Sequence, residues 1–148
     1  QASEFAGTVP VRHLLPYWKT SNRYLFSGGS VNMRDAAVYA KEENWSKAVE
    51  LWKQTYETKK GKQKMYAAYN TALGYEMQDS IDTALEWALK AQTLAREKSK
   101  TDKKETGEIH DGTISYYIFI SMYVDELEKR KEGMARLNMQ MNRFDDDF

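Results

Sequence analysis

The sequence predicts an all-α fold, and three observations lead there. The stretch Tyr66 to Leu94 reads as one complete helical hairpin, with Ala68, Ala72, Ala84, Ala88 and Ala91 recurring on faces where two helix backbones approach closely. Both prolines lie within the first sixteen residues, so little interrupts a succession of helices beyond them. Near the end, Ile120, Leu127, Met134 and Met141 recur every seven residues, and Tyr117 and Val124 precede the first two by three, which makes a seam for neighbouring helices.

Taken in order, Gln1 to Thr8 is small and polar and is expected to be poorly ordered. A first helix is expected within 9–28, carrying Leu14, Leu15, Trp18, Tyr24 and Phe26 toward the core. Ser27-Gly-Gly-Ser30 ends it, and Ser30 suits the N-cap of the next. Residues 31–58 form a helix pair with Glu43-Asn44 at its turn and Asn44 as the second cap. Ala48, Leu51, Trp52 and Tyr56 share one face. Residues 63–97 form the second pair, broken at Gln78 to Ser80, where Asp79 or Ser80 can accept from free helix amides. Lys98 to Gly107 reads as a charged, solvated connector. A long capping helix spans 111–142, with Asp125–Lys129 and Glu126–Arg130 as surface i,i+4 pairs and Gly133 as a place for a kink. Residues 143–148 form an acidic tail.

The order Tyr69-Asn70, Ala72, Tyr75, Asp79, Ile81, Ala84, Ala91 resembles one tetratricopeptide repeat, a helix-turn-helix unit. Asp79 stands where the family has glycine, and Ala88 where it has a large residue. Moving that template back 36 residues brings Ala36, Tyr39, Trp45, Ala48 and Trp52 into register as a second copy, two residues longer than the usual period of about 34. The terminal helices would cover the open ends of such a short array. A wider series, including Pro16-Tyr17-Trp18, Arg23-Tyr24, Met33, Trp87, Leu127, Arg130 and Gln140, is similar to tetratricopeptide-containing lipoproteins of the bacterial cell envelope. That resemblance implies an exported protein, lipid-anchored through a part preceding Gln1.

Composition narrows the function classes. Twenty-two basic and 22 acidic side chains cancel, so no net field draws the chain to nucleic acid or an anionic membrane. Without cysteine there is no disulfide, thiol chemistry or thiolate metal site. No apolar run approaches the roughly 20 residues needed for a membrane span. His13 and His110 are the only histidines. His110-Asp111 has no nucleophile tied to it, and no metal, phosphate-loop or hydrolase motif is present. The expectation is therefore a non-enzymatic chain with no cofactor and no metal ligands.

What remains is surface shape. In tetratricopeptide arrays the first helices of successive repeats line a concave groove that holds a peptide. Carried over residue by residue, the resemblance assigns this role to Met33, Ala37, Ala40 and Lys41, and to Tyr66, Tyr69, Asn70, Leu73, Glu76 and Met77. Asn70 matches the asparagine that holds a peptide backbone or terminal carboxylate. Met33 and Tyr69 replace the lysines of a carboxylate clamp, so the groove suits an apolar or mildly basic segment of a protein partner. Two alternatives stand beside this. The terminal helices can fill the groove, or exposed rings among the four tryptophans and ten tyrosines can bind glycan.

Overall fold

The computed structural model describes residues 5–13, 19–106 and 111–146. Its fold is all-α in class, with five helices among those residues: α1 (Val31–Lys41), α2 (Trp45–Thr58), α3 (Lys62–Met77), α4 (Ile81–Thr106) and α5 (Asp111–Asp146). One β-hairpin precedes them, β1 (Phe5–His13) paired antiparallel with β2 (Lys19–Phe26).

The two helix pairs close with the same turn. In the first, Asn44 and Glu42 donate their N–H groups to the Tyr39 carbonyl at 2.8 and 3.1 Å; in the second, Ser80 and Gln78 donate to Tyr75 at 2.9 and 3.1 Å. Each turn reverses the chain through a left-handed residue, Glu43 and Asp79, both at φ 60°. Neither is the glycine that conformation favours. Ala36, Ala48, Ala72 and Ala84 are all fully buried, because the backbones meet where side chains are smallest. Ser30 and Asn44 cap α1 and α2, accepting from the amides of Met33 and Lys47.

Four expectations are corrected. The helix over 9–28 is absent: 5–13 and 19–26 are paired strands, and Thr20, Tyr24 and Phe26 are residue types that suit one. Leu14, Leu15 and Trp18 lie outside the described residues, and the strand starts at Phe5, inside the stretch read as disordered. The connector from Lys98 onward is helical, since α4 runs to Thr106 through a stretch in which Lys98, Lys100, Lys103, Lys104 and Glu105 are good helix formers. Helix α5 passes Gly133 unbroken and continues to Asp146, beyond the expected end at 142.

The core lies between α3 and its neighbours. Helix α3 packs between α2 and α4, buries ten consecutive residues from Met65 to Gly74, and carries β2 against one flank. Helix α5 packs along α4 and seals that side with Tyr116, Ile120, Tyr123, Val124 and Leu127. The heptad stripe then runs outward, from buried Ile120 and Leu127 through half-buried Met134 to exposed Met141.

Candidate functional site

One flank of α3 is occupied by the chain's own strand β2. Asn70 on α3, fully buried, receives the Phe26 N–H on its Oδ1 at 3.0 Å and donates its Nδ2 to the Phe26 carbonyl at 2.6 Å. A side-chain amide thus imitates a neighbouring strand. Beside it on α3, the Tyr69 hydroxyl donates to the Tyr24 carbonyl at 2.7 Å. The Phe26 ring stacks on Tyr66 at 4.3 Å and meets Tyr69, Tyr116 and Phe119 edge-on.

Three residues back along the strand, Arg23 meets a buried carboxylate. Glu76 Oε1 accepts from Arg23 Nε at 3.1 Å and from the Tyr123 hydroxyl at 2.8 Å; its Oε2 accepts from Arg23 Nη2 at 2.9 Å and from Arg130 Nη1 at 2.8 Å. Farther out, Glu126 lies 3.9 Å from Arg23 and Asp79 lies 3.6 Å from Arg130. Burial alone would raise the Glu76 pKa; the bond and charge of Arg23, followed by the Arg130 and Tyr123 bonds, outweigh it and hold the carboxyl below its usual range. Burial and the neighbouring Glu76 charge push the Tyr123 hydroxyl up, and Tyr69 likewise. Arg23 is the member of this cluster that belongs to β2, and Glu76 ties it to Tyr123 and Arg130 on α5.

The expected groove residues divide accordingly. Tyr66, Tyr69, Asn70 and Glu76 come together as the seat of β2, and Met33, Ala40 and Leu73 are buried in the core. Ala37 and Met77 are half-buried, and Lys41 is exposed toward the end of α1. The segment seated there is 23–26 of the chain's own β2, a strand and not a terminal helix. Sequence reasoning missed Arg23, Tyr123 and Arg130. Arg130 pairs by i,i+4 spacing with Glu126, yet it follows Leu127 by three and Tyr123 by seven, on the buried stripe, and that spacing is the available signal.

The hairpin has two edges in different states. Because Tyr24 and Phe26 turn main-chain groups toward α3, the alternate residues of β2 face β1. The register pairs Thr8 with Tyr24, Pro10 with Asn22 and Arg12 with Thr20, so the main-chain groups of Thr8, Pro10 and Arg12 turn away from β2. No strand pairs with that outer edge among the described residues. No group of three metal-ligating side chains and no helix long and apolar enough to cross a membrane occurs among them either.

Fold and site together define an all-α protein of stacked helical hairpins that clamps a β-hairpin of its own. A family model described as a domain of unknown function (DUF6340) matches residues 34–129, well over half of the chain, and the protein belongs to that family. No curated protein and no solved structure matches it.

Proposed function

We propose that the chain is a non-enzymatic interaction module of tetratricopeptide type, in which the helical array grips a β-hairpin and offers its outer edge to an extended segment of a protein partner. The observation that carries this reading is the pair of bonds from Asn70 to the Phe26 backbone, by which α3 holds an extended main chain. The matching turns 36 residues apart support the repeat. The outward main-chain groups of Thr8, Pro10 and Arg12 support strand addition, in which backbone bonds supply affinity. Pro10 lacks a donor, which handicaps pairing between two copies of this edge and favours a foreign strand. The bacterial cell envelope is the proposed location, on the sequence resemblance. Glycan binding is disfavoured because Trp52 is fully buried and Trp45 and Trp87 are half-buried.

The test is capture from native envelope extract by the intact chain and by a Thr8→Pro/Arg12→Pro variant, which removes only outward-facing donors. The reading expects a partner that the variant loses while the Phe26 amide keeps its protection from hydrogen exchange. Equal capture by both chains would overturn it.

A further inference from the structure

A second feature lies on the surface formed by α2, α3 and α4, and owes nothing to the strand edge. Tyr56 and Trp87 meet edge-to-face with centroids 4.9 Å apart. Three ammonium groups from three helices converge on these rings and on Tyr75. Lys90 Nζ lies 4.1 Å from the Trp87 centroid and 5.8 Å from Tyr56. Lys53 Nζ lies 5.1 Å from Tyr75 and 5.8 Å from Trp87, and Lys64 Nζ lies 4.7 Å from Tyr56. Two ammoniums at those distances from the Trp87 centroid cannot be more than about 10 Å apart, within a Debye length at about 0.1 M salt.

These lysines differ from the ion-paired cations of the fold. Arg23, Arg130, Lys100 and Lys131 each lie within 4 Å of a carboxylate, whereas no described carboxylate comes that close to Lys53, Lys64 or Lys90. Glu50 and Glu57 line the shallow groove beside Lys53 without pairing with it. Ring faces steady the three cations, but the rings carry no net charge and the mutual repulsion stands. A multivalent oxyanion seated among the ammoniums would relieve it, and the positive ring edges would not oppose it.

We propose that Lys53, Lys64 and Lys90 form a binding site for a phosphate- or sulfate-type oxyanion, either free or carried on a small sugar. The cations come from three helices, so the site exists only in the folded chain.

The experiment titrates the full chain with inorganic phosphate, glucose 6-phosphate and glucose. It follows the Trp87 indole N–H by nuclear magnetic resonance, assigned by its loss in Trp87→Phe. Sodium chloride at matched ionic strength is the blank. The expected result is a saturable shift below about 10 mM with both phosphates and none with glucose. Lys53→Met and Lys90→Met should each weaken binding by up to about fivefold, the scale of one exposed ion pair, with urea midpoints near that of the parent. Tighter binding of glucose 6-phosphate than of phosphate would assign a sugar-borne ligand, and equal binding a free oxyanion. No saturable shift, a shift matched by sodium chloride, or unchanged affinity in both variants would overturn the proposal.

Discussion

Replacing Glu76 by Gln keeps the side chain's volume and removes the charge on which β2 docking depends. In the parent, two guanidiniums with side chains only 10% and 13% exposed share that carboxylate, along with the Tyr123 hydroxyl. Removing one partner of a buried ion pair costs about 3–5 kcal/mol, because the other charge is left uncompensated. Here two factors act in opposite directions. Two cations lose their anion, which raises the cost, but Glu126 and Asp79 stand 3.9 and 3.6 Å away as longer-range counter-charges, which lowers it. The glutamine NH2 also faces donors, so at most half of the four bonds survive. A loss of about 3 kcal/mol is therefore expected, a large share of the roughly 5–15 kcal/mol that holds a domain together. Urea unfolding at pH 7 should show a lower midpoint at unchanged slope, and the melting temperature should fall by about 10 °C for a chain of this size. The Phe26 amide should exchange faster than the α2 amides. A loss under about 1 kcal/mol, or unchanged Phe26 protection, would refute the assignment of Glu76 as the anchor of the strand.

Other expectations follow from the same geometry. Because the Glu76 carboxyl is held below its usual range, its stabilisation is complete above the unfolded carboxylate pKa of about 4.3 and is lost as pH falls from there through the folded value. Urea midpoints across pH 5 to 2 should fall less steeply in Glu76→Gln than in the parent. The same substitution at two mid-helix glycines should have opposite signs in thermal melts. Gly74→Ala should destabilise by about 1–3 kcal/mol, because the new methyl meets the Val49 side chain and presses on Trp52, outweighing the roughly 1 kcal/mol that alanine gains in a helix. Gly133→Ala, where the methyl meets nothing, should stabilise by up to about 1 kcal/mol. Glu43→Gly should add about 1 kcal/mol to the urea stability by relieving the left-handed turn.

The helix pairs were legible because their signals are local. Ala36, Ala48, Ala72 and Ala84 mark backbone crossings within a few turns of the chain, and Ser30 and Asn44 cap the helices they immediately precede. Asn70 was legible as a residue that holds a peptide backbone, but nothing near it says whose. The strand was not legible for the same reason. Residues 19–26 show no strong alternation, and what holds them extended is Asn70 and Glu76, 44 and 53 positions further along the chain. Local pattern also misled at Glu126–Arg130, where helical spacing allowed a surface pair and the fold turned Arg130 toward Glu76 instead. Past Lys98, the absence of apolar residues hides a helix that the intrinsic propensity of its lysines favours.

The buried charge also settles where the strand sits. An apolar seat of tyrosines would accept an aromatic strand in several registers, because ring contacts are broad and weakly directional. Two anchors remove that freedom. Along β2, Arg23 and Phe26 are three residues apart, about 10 Å of extended chain. Along α3, their partners Glu76 and Asn70 are six residues apart, about 9 Å of helix. The two lengths match only when the strand runs antiparallel to the helix. A slip of one residue shifts every atom by about 3.3 Å, which breaks both anchors at once and strands Arg23 away from its carboxylate. Inserting one alanine between Tyr24 and Leu25 should therefore satisfy either Asn70 or Glu76 but not both, and lose as much stability as Glu76→Gln despite leaving every helix intact. An insertion that unfolds in urea like the parent would mean that ring packing, rather than the paired anchors, sets the register.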